Sequence, residues 1–209
     1  MGQRLLPDAE SLLRLHDEAM ERWHTVEADV SQADEQNVTK LTEGSVIELI
    51  LKQHRANFDL WHKEDEARDP NAADAEIAEV KRAIDALNQR RNDLTESIDH
   101  LLCTSLAQPA QATLHSETPG MMLDRLSILG LKVYHTREET TRETATEKHR
   151  EKNRARLALL TEQRDDLAMC LDMLMLQIGR GERRFKVYRQ MKMYNDPDLN
   201  PVLYRKGHS

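Results

Sequence analysis

The chain has 209 residues and a mass of 24.2 kDa, enough for one well-cored domain and marginal for two. Charged residues make up 32% and aromatics 4%, with Gly 7 and Pro 6 spread thinly, a mix that reads as long helices rather than sheet. The net charge of -7 argues against a nucleic-acid binder, and no apolar run approaches the ~20 residues that span a bilayer.

Cys103 and Cys170 stand far apart, which argues against a disulfide framework or a zinc–thiolate cluster. Both are expected to be small buried apolar residues in a reducing compartment. The first eight residues lack the apolar core of a signal peptide, so the expected location is cytoplasmic.

In chain order, a first helix is predicted from Asp8, an N-cap, to about Val30, with the stripe Leu12, Leu15, Ala19, Trp23, Val26 and Val30. Ser31 to Thr42 reads as a polar connection. A second helix starts near Thr42 or Ser45 and stops before Pro70; its stripe of Ile47, Leu51, His54, Phe58 and Trp61 turns ionic at Asp65 and Arg68. The turn around Asn71 reverses the chain and offers Asp74 as the next cap.

The third helix is predicted from about Ala75 to Cys103. Its seam of Ile77, Val80, Ile84, Leu87, Leu94, Ile98 and Leu101 is broken only by Arg91. A second stripe of Arg82, Asp85, Gln89, Asn92, Glu96 and Asp99 faces either solvent or a wet site. Residues 104–116 read as loop. Thr118 then caps a fourth helix with Pro119 at its first position, running to about Thr144. That helix is apolar nearly all round, marking it as central, yet it holds Asp124, Arg125 and Lys132. A fifth helix spans Glu147 to Ile178 and ends at Gly179 and Gly181. Residues 179–209 form a basic C-terminal segment and an extended tail packed on the bundle, with Val202, Leu203 and Tyr204 as pins. The expected fold is a single all-α domain over 1–209, an elongated bundle of about five main helices with an extended C-terminal tail. The regular seams of the third and fifth helices could also serve a homodimer.

An unpaired buried charge costs several kcal/mol, so charges inside helical seams are either paired or facing a wet pocket. Counting outward from the turn sets Trp61 and His62 opposite Lys81 and Arg82, Phe58 near Asp85, and His54 near Asn88. One reading is an ion-pair network that fixes the hairpin's register. The other is a pocket for an anionic ligand, formed by Trp61, His62, Asp65, Arg68, Lys81, Arg82, Asp85 and Asn88, with Asp124, Lys132, His135, Tyr194 and Asn195 on the far side. If there is turnover, His62 or His135 is the acid–base group, because only His titrates near neutrality unperturbed; Asp85 is a further candidate. Counting across the fourth and fifth helices pairs Arg125 with Asp165 or Asp166.

No metal or cofactor is assigned. The nearest approach is three carboxylate–imidazole pairs at helical spacing: Glu21 with His24, Asp59 with His62, and His135 with Glu138. Di-iron bundles use Glu-x-x-His pairs, and only Glu21 with His24 fits strictly. Glu76-x-x-Glu79 and Glu96-x-x-Asp99 match an Mg²⁺-binding spacing of all-α pyrophosphatases, but they lie ~30 Å apart along one helix. Phosphate-binding glycine loops, a nucleophile elbow and Cys–His pairs are absent.

Leu60 to Arg68, Lys81 to Asp93, Glu117-Thr118-Pro119-Gly120 with Asp124 to Leu129, and Tyr194-Asn195-Asp196-Pro197 with Asn200-Pro201 resemble an uncharacterised bacterial helical family, the domain of unknown function numbered 4254. That family has no assigned reaction, so no residue role carries over. Its members are often encoded beside cell-envelope glycosyltransferases. The resemblance therefore implies a sugar nucleotide, a phosphosugar or a glycosyltransferase as partner, in a protein that binds, and can act on, an anionic molecule of envelope-glycan metabolism. The alternatives are a non-catalytic scaffold for a glycosyltransferase and a carboxylate/histidine metal-binding bundle.

Overall fold

The structure, a computed structural model, describes residues 5–28, 46–189 and 196–204. Its elements are α1 (Ala9–Ala28), α2 (Val46–Glu66), α3 (Asp74–Ser105), β1 (Thr113–Leu114), α4 (Pro119–Thr141), α5 (Glu147–Gly179), β2 (Arg183–Arg184) and α6 (Pro201–Tyr204). The expected all-α bundle of five main helices is present. Tyr194 and Asn195 lie outside the described residues, as does the predicted connection from Ser31 to Thr42.

The bundle consists of two helical hairpins, α2–α3 and α4–α5, with α1 laid against α2, α4 and α5. The ends are set by side chains that satisfy orphan backbone donors. Asp8 Oδ1 accepts the Ser11 amide at 2.9 Å, Thr118 accepts the Met121 amide, and Thr146 accepts the His149 amide. At α3 the sequence offered Asp74 as cap, but Ala73 holds that position and Glu76 reaches back to its amide at 2.8 Å. Asp69 Oδ1 accepts the Asn71 amide at 2.8 Å and tightens the turn between α2 and α3. Gly181, at φ 72, takes the left-handed conformation that closes α5.

The main core joins Leu12, Ile50, Ile98, Leu102, Leu123 and Leu126 to Leu171, Leu174 and Ile178. A smaller cluster of Met20, Phe58 and Leu131 is flanked by Trp23, Trp61 and Tyr134. Helix α2 buries a wide arc, including Gln53, His54 and Asn57, because neighbours cover it on two sides. Asp99, on α3, is buried against the start of α4, where Thr118 Oγ1 donates to it at 2.5 Å and the Gly120 amide at 2.6 Å. A side chain at position 120 would meet Asp99 and the Thr95 carbonyl at 2.7 Å, so only glycine admits this approach of the two helices.

Several expectations fail. The loop 104–116 contains β1, which pairs in parallel with β2 inside the basic C-terminal segment, where no strand was expected. Phe185 is buried in the core, and its amide donates to Gln108 Oε1 at 3.0 Å, so the chain is tied down that far. Val202 is exposed and pins nothing, and Cys170 is exposed rather than buried. Arg125 pairs with Glu117 Oε1 at 2.6 Å, not with Asp165 or Asp166, because the residues just before the helix come within its reach. Phe58 and His54 turn toward α1 and α4 rather than toward Asp85 and Asn88. No helix among the described residues is long and apolar enough to cross a membrane.

Candidate functional site

The ionic end of the α2–α3 hairpin divides between two faces. Lys81 pairs with Asp85 four residues on, and both stand in solvent with the exposed Arg82. Asn88 donates to the Ile84 carbonyl at 3.1 Å, an intrahelical use of its amide. Lys132 is exposed on α4. These residues are not gathered with Trp61.

Trp61, Asp65 and Arg68 do line one cleft. It is about 380 Å³ in volume and its wall includes Asn57, Glu64, Arg91 and Leu131, so it lies between α2, α3 and α4. Its charges are partly satisfied by the protein. Arg68 Nη1 donates to Glu64 Oε2 at 2.8 Å. Arg91 stands 3.8 Å from Asp124 Oδ1, an ion pair too long for a hydrogen bond, and its Nε is buried with no hydrogen-bond partner. The residue that broke the α3 seam therefore lines the cleft, its Nη2 bonded to Asn92 Oδ1 at 3.5 Å.

Behind that wall runs a buried polar chain. Asp124 Oδ1 accepts from Gln53 Nε2 at 2.5 Å and from Asn57 Nδ2 at 3.0 Å. Asn57 Nδ2 also donates to Ser127 Oγ at 2.9 Å, and Ser127 lies 2.7 Å from His54 Nδ1. His54 Nε2 meets the His16 carbonyl at 3.2 Å. A carbonyl only accepts, so Nε2 carries the proton and Nδ1 receives the Ser127 hydroxyl. His16 stacks on His54 with ring centroids 4.2 Å apart. Burial holds both imidazoles below their ordinary pKa, His54 at about 4, so both are neutral at pH 7. Asp99 is shifted the other way, up to about 6, because burial outweighs its hydrogen bonds to Thr118 and Gly120.

Next to Trp61, which stacks on His135, three imidazoles from three helices converge: His24 of α1, His62 of α2 and His135 of α4. One ring nitrogen of each lies within 4.8 Å of those of the other two. The Nε2 atoms of all three are buried and without hydrogen-bond partners. His135 lies flat on Trp61 at 4.8 Å between centroids, and His24 flat on Tyr134 at 4.4 Å. Burial lowers the pKa of His135 more than its bond to Glu138 raises it, and burial raises that of Tyr134. Each of the three histidines belongs to one of the carboxylate–imidazole pairs seen in the sequence. Their carboxylate partners do not converge as a set: Asp59 pairs with Arg55 at 2.6 Å, and Glu21 is exposed.

Sequence reasoning missed Gln53, Asn57, Ser127 and His16 because none of them breaks a helical pattern visibly. Arg91 did carry a signal, as the one charge in the α3 seam. No curated protein and no solved structure matches the chain. A family model described as a protein of unknown function, DUF4254, matches residues 47–187, which take in α2 through β2 and the whole cleft. The chain belongs to that family.

Proposed function

We propose that the cleft between α2, α3 and α4 binds a small anionic molecule, with the anion held by Arg91 and Arg68 and the organic frame laid on Trp61. The observation that carries this reading is that Arg91, held among the described residues only by a 3.8 Å ion pair to Asp124 and a 3.5 Å bond to Asn92 Oδ1, lines an open cleft with Arg68 and Trp61. A carboxylate or phosphate oxygen in the cleft would add a charge-assisted bond to its guanidinium. The cleft also falls within the ~300–1,000 Å³ of small-molecule sites, and an indole offers a large rigid apolar platform. The resemblance to a family encoded beside envelope glycosyltransferases favours a phosphosugar or sugar nucleotide as the anion. Asp65 and Glu64 share the rim and suit the hydroxyl groups of such a ligand.

The test uses the two tryptophans. In a Trp23→Phe background Trp61 is the sole indole, and its fluorescence is titrated with UDP-glucose and with glucose 1-phosphate. Saturable quenching by either one is expected, with affinity at least about tenfold weaker in Arg91→Met and unchanged in Arg82→Met. No saturable response, or equal affinity in Arg91→Met, contradicts the reading.

A further inference from the structure

We propose that His24, His62 and His135 form a site for one divalent transition-metal ion such as zinc, with a coordination position left open to a fourth ligand. The inference is independent of the cleft ligand and starts from the ring nitrogens. His24 Nδ1 lies 2.9 Å from the Met20 carbonyl, and His135 Nδ1 lies 3.0 Å from Glu138 Oε2. Both partners only accept, so each Nδ1 carries the proton and each Nε2 presents a bare lone pair. Those Nε2 atoms and that of His62 are all buried without a hydrogen-bond partner among the described residues. Two lone pairs enclosed together are mutually repulsive, and a cation between them, joined by His62 Nε2 in its basic tautomer, satisfies all three nitrogens.

The ring geometry fits. The three imidazoles meet edge to face rather than stacking, with interplanar angles of 71°, 71° and 85°. Tyr134, Trp61 and Phe58 pack against His24, His135 and His62 respectively, which limits the tilt of each ring. A tetrahedral ion with nitrogen ligands at ~2.0–2.1 Å needs the nitrogens about 3.4 Å apart. From a spacing within 4.8 Å that is a closure of at most about 1.4 Å, within reach of side-chain rotations. Glu138, hydrogen-bonded to the distal nitrogen of His135, is the carboxylate that commonly orients a metal-bound imidazole. Three imidazoles and no thiolate suit zinc, copper, nickel or iron rather than magnesium or calcium. Three protein ligands are the number found in catalytic rather than structural zinc sites.

The experiment is a titration of chelator-stripped full-length chain with ZnCl₂ by calorimetry, repeated with CoCl₂ read by its visible absorption. One ion per chain is expected, with the intense cobalt bands of a four-coordinate site. Glu138→Gln weakens binding by roughly 10–100-fold, and His62→Ala or His135→Ala by more than that. His149→Ala, whose ring pairs with Glu139 near the α4–α5 turn, leaves binding unchanged. The proposal is overturned if the wild type binds no zinc, or if binding survives His62→Ala and His135→Ala. An equal loss in His149→Ala would place the ion elsewhere and overturn it too. Glu138 is exposed, so its variant keeps the test open even if a histidine variant fails to fold.

Discussion

His16 and His54 lie against each other in full burial, and their protonation sets how this protein responds to acid. Both have folded pKa values below that of the free side chain, 6.5, so the unfolded chain takes up protons that the folded chain refuses. The contribution of His54 is complete above pH 6.5 and is lost as pH falls toward about 4, and that of His16 is lost in the same direction. Asp99 works in reverse, since its folded pKa lies at about 6 against 3.8 for the free group. The folded state binds that proton first, and stability from Asp99 grows as pH falls from 6 to 4. Burial lowers His135 as well, so three depressed imidazoles oppose one raised carboxyl, and stability falls as the pH drops below 6.5. Urea unfolding of metal-free protein at pH 7, 6 and 5 should show this loss. Asp99→Asn, which removes the opposing titration, should make it steeper. A flat profile, or a rise in stability on acidification, would contradict the burial described for these rings.

At the scale of elements, the α3–α4 contact and the α1–α4 contact make opposite demands on glycine. At Gly120 a methyl group would meet the Asp99 carboxylate and the Thr95 backbone at 2.7 Å, and neither can give way cheaply. At Gly130 the nearest atom is the flexible Met20 Cε at 3.5 Å, an ordinary contact. Gly120→Ala should therefore cost about 1–3 kcal/mol, while Gly130→Ala should be neutral or stabilise by up to about 1 kcal/mol from helix propensity. Thermal melts of the two variants decide this, and similar melting points would show that the helices are not so closely packed. Helix identity was legible because Ile84, Ile98, Leu167, Leu171 and Leu174 repeat at three and four, and because Thr118-Pro119 is a strong start signal. The β1–β2 pairing was not legible, since two-residue strands have no period and their partners lie 70 residues apart in sequence. The Arg125 pairing failed because opposing residues were counted along ideal helices, whereas a local partner at Glu117 came closer.

For the molecule as a whole, the sequence marked a candidate region without resolving its faces. The hairpin count grouped Trp61, Asp65 and Arg68, which line one cleft because residues three and four apart share a face. It also assigned Lys81, Arg82 and Asp85 to that place, and they stand instead in solvent on α3. Which face of α3 turns inward depends on α4, and no rule for a two-helix hairpin contains that third body. The histidine trio was visible only as three separate pairs, because its convergence needs α1, α2 and α4 together. The resulting molecule carries an indole that lines a mostly apolar cleft and stacks on His135, one of three converging imidazoles. Its central feature is the weakly paired guanidinium of Arg91, which lines the cleft. Native mass spectrometry of the protein purified from its own host tests this most directly, comparing wild type with Arg91→Met. An organic anion retained by the wild type and missing from the variant is the predicted result; a wild-type chain free of any organic adduct, or the same adduct on both, would contradict it.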